Sequence, residues 1–493
     1  MLDKGFLDKL KGIVGDENCR TDTAERYCYA FDGGIHRAMP DAVVRPQTTQ
    51  QISDMVKLAN EYKVPIIPRG AGTALCGHSV AISGGVSVDL QGMNKIKEIH
   101  VEDLYVVVEP GVIYDQLNAA LAEKKFFFPP DPGSAEACTI GGMAACNASG
   151  MRAIKYGATR EYVLGLEVVM PTGEIVEMGS RTIKDSSGYQ FAKFMLGSEG
   201  TLGIITEITL RVIPKPKKNA VAVAAFNKLE EAGQGVSNII GYPVLPSGIE
   251  LMDDVCIKAV NQATNLGLPE VEALLLIEVD GHPEAVKEDI EKVAEICKSS
   301  GATSVEYTDD EKRKVELRKG RKSMIPALSR YKPEWAAVIL ADDMAVPISK
   351  IPQTVKAFHE IADKHGIIVA TYGHAADGNL HTKVLMDPLD PEHWKHGEQA
   401  TAEIFEAVHN VGGTTTGEHG TGITKAPYMR AERKSLIEFM KKIKRTLDPN
   451  NIMNPNKMMD WEEGIITHLR YPVNIGGGTD PKNPEGKKSG GSD

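Results

Sequence analysis

Three glycine-rich stretches, residues 69–77, 133–150 and 197–203, mark the first half of the chain, and each is tied to segments that read as strands. Glycine lets the backbone come close to a ligand and lets consecutive N–H groups turn toward an anion. One such loop is ordinary turn chemistry. Three in so short a span point to one long ligand with a pyrophosphate at its middle. A nicotinamide Rossmann site wants G-x-G-x-x-G between a strand and a helix, with an acidic residue about 20 positions on. Gly70-Ala71-Gly72 has Leu75 where the third glycine belongs, and a strand follows it; Gly197, Gly200 and Gly203 are mis-spaced. That site is set aside.

Around these loops the pattern reads as sheet. Thr48 with Gln51 forms a capping-box signal, with Ile52, Val56 and Ala59 on one helical face. VPIIP at 64–68, VSVDL at 86–90 and YVVVEPGV at 105–112 read as strands, and a helix follows over 113–125. GLEVVM and EIVEMG, joined at Pro171-Thr172-Gly173, read as a hairpin. From Asn219 onward, AVAVAAF, residues 272–281, AAVILADDMAVP and IIVATYGH read as strands with helices between them, one at 283–300. Leu2, Phe6, Leu7, Leu10, Ile13 and Val14 recur at helical spacing, so the N-terminus reads as a docked amphipathic helix. Asp3 and Asp8 argue against a signal peptide there. The Gly-, Lys- and Pro-rich stretch after Pro472 reads as a disordered tail.

The net charge of −11 gives no reason to expect nucleic-acid binding. The seven cysteines form no C-x-x-C, so a zinc ribbon or a cysteine-held iron–sulfur cluster is not expected of this chain. Their odd, scattered number fits buried thiols in a reducing, cytoplasmic setting. No run reaches the roughly 18 apolar residues of a transmembrane helix.

Two of the histidine-bearing segments stand out. His374 and His381 flank a Gly378-Asn379 turn, which can bring both rings to one place, and Glu418-His419 follows later. A lone histidine is more often structural. Two His and a Glu, here His374, His381 and Glu418, are a common arrangement for an open catalytic metal site. Imidazole with carboxylate suits zinc, manganese or ferrous iron, and sequence does not choose among them.

PRGAGT, DPGSAEACTIGGMAACNASG, KYG, GLEVVMPTGEIV, KDSSGY and GSEGTLGIIT resemble, in order, the FAD-linked oxidase family with the vanillyl-alcohol-oxidase-type FAD domain. The resemblance runs from about residue 40 to 460 and points to the branch of D-2-hydroxyacid dehydrogenases, such as D-lactate dehydrogenase and the glycolate oxidase catalytic subunit. It implies an α+β chain in which, after the helical segment read at 1–40, a two-part FAD-binding domain spans 41–215 and an α+β, ferredoxin-like substrate cap with the metal site spans 216–425. A C-terminal helical segment at 426–471 would close on the FAD domain, with the tail at 472–493. FAD would be held non-covalently, because the histidine that some members link to flavin stands earlier, where Thr73 is here. Arg69, Gly70, Ala71, Gly72, Thr73 and Gly77 would wrap the pyrophosphate, with His78 a satisfied polar neighbour at the cofactor. Pro132, Gly133, Ser134, Thr139, Gly142 and Asn147 would follow the flavin and ribityl chain, and Ser198, Glu199, Gly200, Ile204 and Asn454 would complete the site.

The branch's H-x6-H and Glu-His pattern maps its metal ligands onto His374, His381 and Glu418. The neighbouring His419 is then the candidate base, since oxidising a 2-hydroxy acid removes a hydroxyl proton that a free alcohol does not release at neutral pH. Arg321, which falls on the family's arginine before a Pro-Ala pair, is expected on the substrate carboxylate, with Asn379 beside it. Arg318 stands where the family usually has Trp. D-lactate is the first expected substrate and glycolate the second; D-2-hydroxyglutarate would need a further cation that the sequence does not locate. Electrons would leave to an iron–sulfur subunit, an electron-transferring flavoprotein or a quinone, with the chain a complex subunit or oligomer and any membrane association through the partner. The rival from another class, a metallohydrolase on the same two His and Glu, leaves the three glycine loops unexplained.

Overall fold

A computed structural model of the chain describes residues 2–460 and 468–469. The Thr48–Gln51 signal opens a helix over Thr49–Tyr62. The Thr48 hydroxyl accepts from the Gln51 N–H, while the Gln51 side chain reaches back to the Gln47 N–H, one residue before the cap. Its buried side, with Ile52, Met55, Val56 and Ala59, packs on a four-stranded sheet. The strand order there is Cys19–Arg20, Ala42–Val44, Val86–Asp89, Ile66–Arg69, and the last three run parallel. All four residues of Val86–Asp89 are buried, so the apolar–polar alternation read at 86–90 marks no wet face. Parallel strands are covered on both sides, and Asp89 is satisfied inside by the Tyr29 hydroxyl, which donates to it at 2.6 Å.

The N-terminal helix, Lys4–Val14, buries Phe6, Leu10 and Val14. The Phe6 ring meets Tyr62 edge-on at 5.5 Å. Phe6→Ala is expected to cost about 3 kcal/mol of unfolding free energy, read as a lower thermal midpoint with an unchanged flavin spectrum, since Phe6 is not among the cavity-lining residues.

A second, antiparallel sheet carries Ile175–Gly179, Val163–Val169, Ile204–Arg211, Tyr105–Val108 and Ile96–His100, in that order. Its first two strands are the hairpin around Pro171-Thr172-Gly173. From Lys218 to Met386 the strands belong to one eight-stranded antiparallel sheet. Lys218–Phe226, Gly248–Asp253, Ala273–Gly281 and Ser304–Thr308, with helices Leu229–Ile240 and Pro283–Ser299, form a βαββαβ unit with strand order 4-1-3-2, the ferredoxin-like arrangement, with an extra helix, Asp254–Ala263, inserted between its second and third strands. Gly248–Asp253 then pairs with Ile368–His374, which extends the sheet.

After helix Ala426–Leu447 the chain returns to the first sheet: Ile66 N–H donates to Ile452 O, and Asn454 N–H to Ile66 O. No described helix is long and apolar enough to cross a membrane. The stretch read as a tail lies outside the described residues.

Candidate active site

Alternate residues of a strand share a face. By the observed register, Glu278, Glu250, Tyr372, His374, His381 and Lys383 fall on one face of the large sheet. The other face carries Ile249, Leu251, Ile277, Leu380 and Val384 in the apolar core. A polar stripe across a buried sheet face is costly unless its members pair. Here they do. Helix Glu311–Leu328 crosses above it, with Arg318 Nε donating to Glu278 and Arg321 Nε to Glu250. The Arg321 guanidinium sits 4.8 Å from the centre of the Tyr372 ring. The other Glu250 oxygen pairs with His374 Nδ1. Burial alone would raise the Glu250 carboxyl; Arg321 and His374 reverse this and hold it well below the usual range.

His374 and His381 lie on the two strands of one hairpin, Ile368–His374 and Asn379–Met386. Their Nε2 atoms are 3.5 Å apart. Glu418 Oε1 stands 3.4 Å from His374 Nε2, 3.5 Å from His381 Nε2 and 3.8 Å from His419 Nε2. The loop bearing Glu418 and His419 is hung on Asp343, which accepts from the Glu418 and His419 N–H groups, the Asn379 amide, the Thr416 hydroxyl and Lys425 Nζ. Asp343, Glu418, His381 and His419 also have ligand atoms within 4.8 Å of one another. With its oxygens already engaged by five donors, Asp343 has little left to offer a cation, so His374, His381 and Glu418 are the fitting set. Three acceptor-type atoms that converge this closely repel unless a cation or proton lies among them. His374 is braced from behind by a carboxylate on its other nitrogen, as metal-binding histidines usually are.

Across a cavity of about 670 Å³ this cluster faces the three glycine loops. Arg69, Gly70, Ala71, Gly72, Thr73, His78, Pro132, Gly133, Ser134, Thr139, Gly142, Ser198, Glu199, Gly200 and Ile204 all line it. The loops approach each other so closely that a Cβ on Gly70 would collide with the Thr139 hydroxyl, while one on Gly133 would meet nothing. A wall of backbone in a long, mostly apolar cleft fits a dinucleotide cofactor. Ser149, from the second loop, donates to Glu418 Oε2 at 2.9 Å. Glu199, from the third, accepts from the Thr421 and Gly422 N–H groups. The cofactor loops therefore hold the loop that carries Glu418 and His419.

Several expected residues stand elsewhere. Gly77 and Asn147 are not among the cavity-lining residues. Asn147 is the left-handed cap of helix Ile140–Cys146, and its side-chain oxygen accepts from the Arg160 N–H. Asn454 is buried behind the wall, its amide donating to His78 O and Glu199 O, so it braces two loops from outside. Arg69 does line the cavity, with its guanidinium donating to Phe31 O and Ser79 Oγ and lying near the Tyr29 ring. Asn379 does not line the cavity either: its amide donates to Asp343 Oδ1 and Met344 O. Conversely, Glu250, Asp342, Asp343, Lys425 and Ser149 were not singled out by motif. A charged residue at an alternate position of an apolar strand, as in GIELMD, was the available signal for Glu250.

Glycine loops stand across one cavity from a histidine–carboxylate cluster on the large sheet and its neighbouring loop, the framework of a cofactor-dependent enzyme. The chain belongs to the FAD-linked oxidase family. Residues 40–179 match the FAD binding domain and residues 215–458 the C-terminal domain of FAD linked oxidases. Glycolate oxidase subunit GlcD of Bacillus subtilis is 41% identical over 461 residues, covering 93% of this chain and 97% of that one. A mitochondrial D-lactate dehydrogenase [cytochrome] of Arabidopsis thaliana is 37% identical, covering 92% and 80%. The fold is that of 4-ethylphenol oxidase from Gulosibacter chungangensis (TM-score 0.75, 20% identity, 93% and 97% covered) and p-cresol methylhydroxylase (TM-score 0.75, 19% identity, 93% and 98% covered). The chain is thus an FAD-dependent oxidoreductase with a vanillyl-alcohol-oxidase-type α+β fold.

Proposed function

We propose that the enzyme oxidises a small D-2-hydroxy acid to the 2-oxo acid, with D-lactate its first substrate and glycolate its second. The observation that carries this reading is the convergence of His374, His381, Glu418 and His419 on the cavity wall opposite the cofactor loops, with Arg321 beside them. The names of the relatives support the same substrate class. His374, His381 and Glu418 would hold a divalent cation, zinc, manganese or ferrous iron, and the loops FAD. When bound, the flavin supplies a hydride acceptor and the cation a Lewis acid that makes the substrate hydroxyl more acidic. His419 takes the hydroxyl proton at Nε2, the nitrogen on the Glu418 side. Arg321 spends Nε on Glu250 and keeps its terminal N–H groups for the substrate carboxylate, in the fork geometry that suits it. Electrons taken from the substrate would leave this chain for a partner protein, an iron–sulfur subunit or electron-transferring flavoprotein, or for quinone.

An anaerobic absorbance spectrum tests this. The flavin band should bleach on addition of D-lactate and, more slowly, of glycolate. A band that survives every D-2-hydroxy acid in metal-loaded protein sinks the proposal. Dialysis against a chelator should abolish bleaching while the flavin stays bound, and zinc or manganese should restore it.

A further inference from the structure

We propose that Asp342 is a positioning residue that ties the candidate ligand His381 to the candidate base His419, an inference that rests on the function proposed above. Asp342 is wholly buried. Its Oδ1 lies 3.5 Å from His381 Nδ1, and its Oδ2 lies 3.4 Å from His419 Nδ1 and 2.6 Å from Lys383 Nζ. Asp342 Oδ1, His381 Nδ1 and His419 Nδ1 are all buried and make no hydrogen bond within normal limits. Leaving such atoms unpaired is costly, and the nearest partners for the two ring nitrogens are the oxygens of this one carboxylate. Catalytic hydrogen bonds are often long until substrate and cofactor are in place.

The consequence is a shared tautomer. A carboxylate only accepts, so each ring turned toward Asp342 carries its proton on Nδ1 and leaves Nε2 as a lone pair. Both Nε2 atoms then face Glu418 Oε1, at 3.5 and 3.8 Å. The rings stack at 5.0 Å and 25°, so one group sets the direction of a ligand and of a base together. Its neighbour Asp343 holds the loop backbone instead. The competing reading is that Asp342 is merely the counter-ion of buried Lys383.

Three variants of the full-length flavoprotein separate the two: Asp342→Asn, Lys383→Met and the double substitution. Asp342→Asn is expected to weaken zinc retention against a chelator by about 10–100-fold. It should slow flavin reduction at saturating D-lactate by at least about tenfold, with KM within about threefold and flavin content unchanged. The double variant, which removes both buried charges, should recover thermal stability yet keep the weak zinc retention and slow reduction. If it regains zinc retention and rate along with stability, Asp342 only neutralises Lys383 and the inference falls. If Asp342→Asn fails to fold, the double variant alone decides. Zinc retention reads the inference without substrate: wild-type protein that holds zinc but is bleached by no 2-hydroxy acid overturns the proposed activity alone, whereas wild-type protein that retains none of zinc, manganese and ferrous iron overturns both.

Discussion

Substituting His419→Asn should leave a yellow protein that D-lactate bleaches about a hundred- to ten-thousandfold more slowly, the usual worth of a positioned base. Asn has no group that accepts a proton near neutral pH. The flavin should stay, because the contact of this loop with the cofactor side runs through other groups: Glu418 to Ser149, and the Thr421 and Gly422 N–H groups to Glu199. The backbone N–H of residue 419 still donates to Asp343 in the variant, so the loop keeps its anchor. Stopped-flow absorbance under anaerobic conditions gives the rate, and the oxidised spectrum gives cofactor content. Reduction at the wild-type rate would assign the proton to another group, and loss of flavin would show that His419 helps build the cofactor cavity.

Local patterns carried most of the architecture because they are written in neighbouring residues. The cap at Thr48, the hairpin at Pro171-Thr172-Gly173 and the helical faces of Lys4–Val14 and Pro283–Ser299 are each decided within a few positions. So was the approach of His374 to His381, since one short hairpin joins them. Side-chain direction was not legible in the same way. Asn379 lies between those histidines in sequence, yet its amide points at Asp343 and Met344. Asn454 is expected at the flavin from its closing motif, yet its amide donates to His78 O and Glu199 O from behind the wall. Glu250, Asp342 and Asp343 were passed over for a related reason. A period-2 pattern tells which face a residue takes, but not whether that face meets water, core or a site. Only the register between Gly248–Asp253 and Ile368–His374, distant in sequence, shows that Glu250 stands opposite His374.

Glu250 is where the largest loss of stability is expected. One buried carboxylate holds two groups: the Arg321 guanidinium, the candidate substrate contact, and His374 Nδ1, on the ring of the candidate ligand. Glu250→Gln keeps the shape and removes the charge, which leaves a guanidinium and an imidazole facing each other with no anion between them. Breaking a buried pair from one side costs about 3–5 kcal/mol, and the same change should lower kcat/KM by freeing both side chains to move. The pH dependence separates this from a packing defect. A carboxyl whose folded pKa is depressed, as that of Glu250 is, contributes stability above its unfolded value of about 4.3 and loses it as pH falls through the lower folded value. Denaturation curves of wild type and Glu250→Gln should therefore differ by a constant amount at neutral pH and converge only in acid, below about pH 4. Arg321→Met is the companion measurement. It leaves the Glu250–His374 pair in place, so it should cost less stability than Glu250→Gln while raising KM for D-lactate at least as much, which divides the two duties of the carboxylate between the groups that it holds.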